Sequence, residues 1–259
     1  MGTVIFLRKE IREIFRTYKI YILPALFLFF GISSPLFAKF MPQLLKYAGE
    51  SAPHIRIILT AQPTALDGLQ QFLKNAGAGL FAIILIFMGT VLDERTRGTA
   101  ALVLTKPLSR KAFIWSKFIS SVLLVTLAVW LGTMACIYYN LILWPKHPEV
   151  SLTIRIAVLI WAFAVFLAAL TILASTVSSS SMAAAGGAVF VYVILSILPS
   201  LHGWFTTYTP AGLMIKAGKM AAPGAGETLA GSWPALAVTL ASALLLVALA
   251  EWAFGRQEL

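Results

Sequence analysis

The feature that most constrains this 259-residue chain is a series of six apolar stretches, each about long enough to cross a lipid bilayer. About 20 apolar residues at a rise of about 1.5 Å span the ~30 Å hydrocarbon core of a membrane. No stretch carries a charge near its centre, and the six cover residues 20–38, 76–92, 118–143, 155–176, 182–199 and 233–253. We therefore expect an all-α membrane protein with six transmembrane helices, folded as a single domain over residues 1–259.

The composition agrees with a protein surrounded by lipid. Of its residues, 59% are hydrophobic and only 12% are charged, whereas soluble domains carry about 25% charge. The excess of 20 Lys and Arg over 10 Asp and Glu is compatible with a nucleic-acid partner. The basic residues cluster in loops beside the apolar stretches, however, as the positive-inside rule describes. We therefore expect a multi-pass protein of the plasma membrane with no nucleic-acid partner.

The distribution of Lys and Arg also predicts the orientation. With the N-terminus inside, 12 basic residues fall on inner segments and 8 on outer segments. This asymmetry places both termini in the cytoplasm. Because the leader contains Glu10 and Glu13 and lacks a cleavage site of small residues, we expect it to be retained.

The pattern of residues 4–18 predicts an amphipathic helix before the first span. Apolar residues recur at helical spacing at Val4, Leu7, Ile11, Ile14, Phe15 and Tyr18. Arg8, Arg12 and Arg16 form a row of like charges on another face. Such a row repels in an isolated helix, but it is favourable against anionic lipid headgroups. We interpret these residues as a helix on the membrane surface, with a solvated basic leader as the alternative.

The segments between the spans are interpreted as loops. Residues 39–75 predict a polar outer loop that holds a short helix, with Thr64 as its N-cap and Asp67 three residues later. Residues 156–199 contain no charge and are long enough for two crossings, so the chain turns at the polar run 175–181. Residues 200–232 predict a second outer loop, rich in Gly and Pro.

Residue types that carry chemistry are sparse. None of the ten carboxylates lies in the middle of a span, which disfavours an ion-coupled carrier, because such proteins retain costly buried charges for their function. The three histidines are scattered over predicted loops, and the motifs HExxH, GxSxG and GxxxxGK[ST] are absent from the sequence. We expect no catalytic residue, no metal site and no bound nucleotide in this chain, so another protein must supply the energy for any transport.

The segment between the second and third spans, residues 92–110, is the most charged loop of the chain. Gly98 allows a sharp turn, and residues 99–105 predict a short helix that Pro107 ends. Ser109 is a candidate N-cap for the helix that leads into the third span. A short helix rimmed by charges of both signs is suited to a protein partner, although local sequence alone equally allows an ordinary basic loop.

This segment resembles the coupling-helix region of ABC-2-type, or type V, transporter permeases. The matching residues are Glu94, Gly98, Thr99, Leu104, Thr105, Pro107, Ser109, Arg110 and Lys117. The basic leader, the first span broken by proline and the six-span layout are similar too, whereas Val103 stands where a double leucine is frequent. The resemblance implies the permease subunit of an ATP-driven exporter. The basic leader is then the elbow helix on the inner leaflet, with Arg8, Arg12 and Arg16 at the membrane surface.

The same resemblance implies partners and a division of labour. Two permease copies, identical or different, pair with each other in the lipid bilayer, and separate ATP-binding subunits bind ATP and Mg²⁺ beneath them. This chain then needs no cofactor of its own. Coupling to the ATPase is expected to run through Glu94, Arg97, Gly98, Thr99, Leu104, Thr105, Pro107, Ser109 and Arg110.

Two further sets of residues bear on transport. Polar side chains in otherwise apolar helices are candidate pathway residues, namely Ser33, Ser34, Thr90, Thr126, Thr133 and Asn140. Ala183, Gly186 and Gly187 form a small-residue surface that favours close helix packing, either within one subunit or between two. The substrate is not predicted. A membrane-embedded enzyme with its reactive cluster at residues 93–97 and a scaffold that transports nothing are the alternatives.

Overall fold

The computed structural model describes residues 2–50, 62–96, 98, 110–145, 149–223 and 229–256, without side chains for 2–5, 46 and 48–50. Within these ranges every regular element is a helix. The α-helices are α1 (Gly2–Arg16), α2 (Lys19–Glu50), α3 (Ala65–Phe87), α4 (Leu92–Thr96), α5 (Arg110–Leu143), α6 (Val150–Val177), α7 (Ser181–Leu201), α8 (Gly203–Tyr208), α9 (Ala211–Met220) and α10 (Trp233–Gly255). A 3-10 turn, Leu229–Ser232, precedes α10.

Six of these helices are long and apolar enough to cross a membrane. They are α2, α3 with its continuation through α4, α5, α6, α7 and α10. The predicted all-α membrane fold with six spans is therefore confirmed. The helices extend beyond the predicted spans because their polar ends continue as helix outside the apolar stretches.

The ends of the spans meet at two faces of the bundle. At one face the starts of α2, α5 and α7 meet the ends of α3, α6 and α10, and α1 packs against α5. We call this the N-terminal face. At the opposite face the second half of α2 meets the end of α5, where the Lys39 ammonium donates to the carbonyl oxygen of Leu143 over 2.7 Å.

Helix α6 is the centre of the bundle. Residues 162–170 are all buried, and α6 packs against α3, α5, α7, α9 and α10. A helix that is apolar on every side can satisfy all its faces only inside other protein or lipid. This explains why residues 156–177 of α6 lack charge although most of them are buried within the bundle.

Helices α2 and α5 cross through glycine. A Cβ atom built on Gly31 would overlap the carbonyl oxygen of Gly132, and one built on Gly132 would overlap the backbone of Phe27. The two backbones therefore approach closer than any larger side chain allows. Small residues permit this approach, and van der Waals packing then holds the pair within a membrane.

Residues 39–75 contain more helix than the predicted loop. α2 continues to Glu50, and the helix that starts after Thr64 is continuous with the second span. Thr64 and Asp67 form the expected capping arrangement, in which Asp67 Oδ2 accepts from the Thr64 backbone N–H (2.7 Å) and hydroxyl (2.9 Å). The polar residues near position 75 are compatible with α-helix. The helix is therefore not interrupted between residues 65 and 87.

Residues 200–232 also contain helices where a loop was predicted. α9 is packed against α6 through Leu213, Ala217 and Met220, which are buried. Glycine and proline here start and end helices rather than prevent them, because Pro210 occupies the N-cap of α9. The predicted turn at residues 175–181 is confirmed, since α6 ends at Val177 and α7 begins at Ser181.

Candidate functional site

A polar network surrounds α4 at the N-terminal face. Residues 91–95 form hydrogen bonds or ion pairs with side chains or backbone groups of α1, α5, α6 and α7. We call these interactions the α4 network. The short segment that follows the second span thus contacts four other helices.

The first part of the α4 network is a buried group of charges. The Lys117 ammonium on α5 lies 2.7 Å from Glu94 Oε1 and 3.3 Å from both carboxylate oxygens of Glu10. Lys117 is 2% exposed and Glu10 is 5% exposed. Lys9 adds a second ammonium, 3.0 Å from Glu94 Oε1, 3.1 Å from Glu10 and 2.7 Å from Glu13. Two lysines and three glutamates therefore join α1, α4 and α5.

The charges in this group are stable because they are paired. A buried ion that loses its partner costs several kcal/mol, so each ammonium here lies between carboxylates. Burial by itself would lower the pKa of Lys9. Its contacts with Glu13, Glu10 and Glu94 outweigh burial, and the pKa of Lys9 is raised above its ordinary value. The Lys9 ammonium therefore stays charged at neutral pH.

Three carboxylates in this group also have the spacing of a cation site. Oxygen atoms of Glu10, Glu13 and Glu94 lie within 4.8 Å of one another. Lys9 and Lys117 already bring two ammonium groups to these oxygens. The positive charge that a metal ion would provide is thus provided by side chains, and these residues do not fit a resident metal.

The second part of the α4 network connects to the end of α6. Arg95 donates to the carbonyl oxygens of Thr176 (3.0 Å) and Ser178 (2.6 Å). The last carbonyl groups of a helix lack partners within the helix and attract cations. Arg95 therefore caps α6 from a helix 81 residues earlier in the chain.

Two serines complete the contacts with α6 and α7. The buried Ser175 hydroxyl accepts from the backbone N–H groups of Val91 (3.1 Å) and Leu92 (3.2 Å), which lie at the turn between α3 and α4. The Ser181 hydroxyl donates to Asp93 Oδ1 over 3.1 Å at the start of α7. The turn before α4 is thus bonded directly to the junction of α6 and α7.

A separate set of contacts anchors the start of α5 to the end of α10. Arg110 donates to the carbonyl oxygens of Phe254 (3.4 Å) and Gly255 (2.7 Å). Trp115 Nε1 donates to Glu251 Oε2 over 2.9 Å, and the Lys111 ammonium lies 3.1 Å from Glu251 Oε1. We call this set the α10 anchor. The α4 network and the α10 anchor lie on the two sides of residues 97–109 in the sequence.

Three of the predicted coupling residues fall within the described residues. Glu94 lies at the centre of the charged group, and Arg110 belongs to the α10 anchor. Gly98 has φ +69°, a conformation that glycine adopts without strain, in keeping with the expected turn. The others lie outside the described residues: Arg97, Thr99, Leu104, Thr105, Pro107 and Ser109. The coupling role of all nine residues stays a prediction.

The N-terminal helix α1 buries only part of the apolar stripe that its pattern predicts: Leu7, Ile11 and Ile14 are half-buried, and Ile14 packs against the core. Phe6 and Glu10 are buried against the bundle, whereas Phe15 and Tyr18 of the predicted apolar stripe are 62% and 82% exposed. The Glu10 carboxylate can be buried here because the Lys117 ammonium on α5 lies beside it. Arg8, Arg12 and Arg16 are exposed, as expected for a row of charges on an outer side of the helix.

The six candidate pathway residues do not form one site. Thr126 and Thr133 donate to carbonyl groups of their own helix, a common state of hydroxyls in apolar helices, and Trp161 donates to Thr126. Ser34 also bonds its own helix and accepts from Asn75. Side-chain oxygens of Ser33, Thr90 and Asn140 are buried with no hydrogen-bond partner in the described part of the chain.

Thr90 belongs to the N-terminal face, beside Lys117, where both line a cavity of about 30 Å³. A pathway through these residues stays a prediction.

The small-residue surface of α7 faces away from the bundle. Ala183, Gly186 and Gly187 are exposed, and no atom of the described residues lies within 4 Å of a Cβ built on Gly186 or Gly187. The small-residue surface therefore makes no helix contact within the described part of one subunit. This leaves packing between two subunits as the other alternative.

These features define a multi-pass membrane protein whose spans are connected at one face by a charged network. The sequence matches the family model of ABC-2 family transporter proteins over residues 4–259. The chain therefore belongs to the ABC-2 transporter family, and the resemblance derived from residues 94–117 is confirmed at the level of the family. Members of this family are membrane components of transporters and are not themselves catalytic, and membership implies an ATP-binding partner and a lipid environment.

The chain is also similar to a bacterial relative along its whole length. It is 24% identical over 256 residues to the uncharacterized transmembrane protein YxlG of Bacillus subtilis (strain 168). The aligned region covers 97% of this chain and 96% of the relative. The two proteins thus match as whole chains rather than through a shared segment.

Proposed function

We propose that this chain is the permease subunit of an ATP-binding cassette exporter in the plasma membrane. It moves a substrate out of the cell with the free energy of ATP that a separate subunit hydrolyses, and ATP and Mg²⁺ bind to that subunit. The observation that carries the proposal is that the α4 network and the α10 anchor flank residues 97–109 in the sequence. A partner that displaces this segment acts on contacts with five helices.

The contacts suggest how such a displacement is transmitted. Glu94 and Arg95 follow the turn after α3 and precede the segment, and they are bonded to α1, α5 and α6. Arg110 follows the segment and is bonded to α10. A movement of either end must break these bonds or carry the bonded helices with it, which is the physical requirement for coupling between distant sites. The N-terminal face is then cytoplasmic, in agreement with the distribution of Lys and Arg.

Helix α1 has a dual role in this proposal. Its buried side transmits force through Glu10 and Lys117. Its exposed side places Arg8, Arg12 and Arg16 against anionic headgroups of the inner leaflet, each contributing about 1 kcal/mol near a charged surface. The helix is the elbow of the permease.

The proposal includes a second permease copy, identical or homologous, packed on α7. This helix is apolar but mostly exposed, with Phe190, Val193 and Ile197 on its surface beside the glycine pair. Small residues allow two helices to approach closely within lipid. The substrate would pass between the two copies.

The test begins with purification of the tagged chain from its native membranes in mild detergent. We expect a stoichiometric partner that contains a GxxxxGK[ST] loop and hydrolyses ATP. In vesicles, the permease should stimulate this hydrolysis, and Lys117→Gln should lower the stimulation several-fold while the partner remains bound. Lys74→Gln, an exposed lysine outside the α4 network, is the matched control. Accumulation of a solute against its gradient by the chain alone, without nucleotide, would contradict the proposal.

A further inference from the structure

A large cavity lies at the opposite face of the bundle, between the end of α2 and the start of α3. Its volume is about 620 Å³. One wall is apolar and is formed by Phe37, Met41 and Leu45, which recur every four residues on one side of α2. Asp67 and Gln71, one turn apart on α3, supply polar atoms to the other side. The cavity is thus amphipathic and far from the α4 network.

The apolar wall lies at the end of the candidate span Lys19–Leu45. α2 has 32 residues, which is about 48 Å of helix, whereas the hydrocarbon core is ~30 Å thick. If the core begins near Lys19, it ends near residue 40. Met41 and Leu45, which are 41% and 45% exposed, then lie outside the lipid. Exposed apolar side chains in such a position are typical of a binding surface.

The polar side offers hydrogen-bond acceptors. Asp67 Oδ2 accepts two hydrogen bonds from Thr64, and Gln71 Nε2 is directed to Asn75 Oδ1 at 3.4 Å. This leaves Asp67 Oδ1 and Gln71 Oε1 without a donor among the described residues. Donors from a bound molecule can therefore reach these two oxygen atoms, in place of water.

Among the described residues, the charge at this side is negative. The helix dipole gives the start of α3 about half a positive charge. The full negative charge of Asp67 is larger, so the sum of the two is negative. Lys39, on α2, is occupied elsewhere, since its ammonium is bonded to Leu143 and lies 5.7 Å from the Trp144 ring. Among the described lining residues Asp67 is the charged one. A bound head group that complements this side carries positive charge and N–H donors.

We propose that this cavity binds a cationic amphiphile with a primary ammonium head. The head donates hydrogen bonds to Asp67 and Gln71, and the alkyl chain lies along Phe37, Met41 and Leu45. The site does not depend on ATP coupling or on a second permease copy, so it can be tested on the permease alone.

The experiment uses the full chain in phosphatidylcholine nanodiscs, with empty nanodiscs as the blank, and isothermal titration calorimetry. The probes are n-octylammonium, n-octyltrimethylammonium, which has the same charge and chain but no N–H donor, and 1-octanol, which has no charge. We expect saturable binding of n-octylammonium that is about tenfold tighter than that of the quaternary ion, because charge-assisted hydrogen bonds are lost in the latter. For 1-octanol we expect only unsaturable partition into lipid.

Two variants and a control localise the binding. Gln71→Leu should weaken n-octylammonium binding several-fold and reduce its advantage over the quaternary ion, because the hydrogen bond to Asp67 remains. Ala38→Trp places a bulky side chain in the cavity wall and should abolish saturable binding while the polar groups remain. Lys74→Gln, exposed and outside the lining, should bind like the wild type. Equal behaviour of the three probes in the wild type, or saturable binding retained by a folded Ala38→Trp variant, would overturn the proposal.

Discussion

At the N-terminal face α5 is held by ion pairs and hydrogen bonds, whereas in the middle of the bundle the same helix is held by close backbone packing. Lys117 marks the first region, with two carboxylates around its ammonium. Gly132 marks the second, with the Phe27 backbone against it. Paired charges can exchange partners in discrete steps, but a close-packed crossing has no alternative arrangement of similar energy. We therefore expect motion of α5 to originate at the N-terminal face and to pivot about the glycine crossing.

The largest effect is expected from removal of the cation at the N-terminal face. Lys117→Met removes the buried cation from Glu10 and Glu94 and leaves only the half-exposed Lys9 beside them among the described residues. Breaking a buried pair in this way costs about 3–5 kcal/mol. The free energy of unfolding, or the melting temperature in nanodiscs, would measure the loss.

A matched variant separates the charge effect from lost packing. Lys74→Met removes an exposed lysine and should change stability little. The double variant Glu10→Gln with Lys117→Met should recover part of the loss, because one uncompensated carboxylate is gone. Equal stability of Lys117→Met and the wild type would show that the buried charges do not hold α5.

The next effect concerns the middle of the bundle. Gly132→Ala places a methyl group against the backbone of Phe27. Overpacking of this kind costs roughly 1–3 kcal/mol, since α2 or α5 must shift. Gly77→Ala is the control, because no atom of the described residues lies within 4 Å of a Cβ at that position. It should be neutral or stabilising by up to about 1 kcal/mol through helix propensity. Comparable melting temperatures for the two variants would argue against a rigid crossing.

These two regions also differ in how far the sequence predicts them. The spans follow from apolar runs, which are local, and the Thr64–Asp67 cap is a pattern over three residues. The pairing of Glu10 with Lys117 joins residues 107 positions apart, and no local pattern distinguishes Glu10 from other acidic residues of α1. The pairing of charges that are distant in the sequence depends on the tertiary fold. The coupling-helix motif therefore predicted Glu94 but not its partners on α1.

The helices of residues 200–232 were predictable in part. Their Gly and Pro content favours a loop, but Leu213, Ala217 and Met220 recur at helical spacing on α9 and are buried. The spacing was the stronger indication, because Gly and Pro at helix ends are compatible with either structure. Which surface α9 buries depends on α6, and the sequence of α9 alone does not specify that contact.

A smaller effect should follow from removal of one hydrogen-bond acceptor at the N-terminal face. Ser175→Ala leaves the backbone N–H groups of Val91 and Leu92 without the hydroxyl that they share. The expected loss is about 1 kcal/mol. Ser196→Ala is the matched control, because that exposed hydroxyl bonds only its own helix at Tyr192. If both variants melt like the wild type, the bond between the α3–α4 turn and α6 contributes nothing to stability.

The smallest effect is expected at the exposed edge of the charged group. Lys9 is 42% exposed at its side chain, so solvent weakens its ion pairs, and Lys9→Gln should cost less than about 1 kcal/mol. Because its pKa is raised in the folded protein, its contribution is complete below the pKa of an ordinary lysine and is lost as the pH rises through the folded value. The stability difference between wild type and Lys9→Gln should therefore stay constant from about pH 7 to 9 and shrink only in stronger alkali. Chemical unfolding at several pH values measures this difference, and a decline already near neutrality would mean that Lys9 does not retain its proton through these carboxylates.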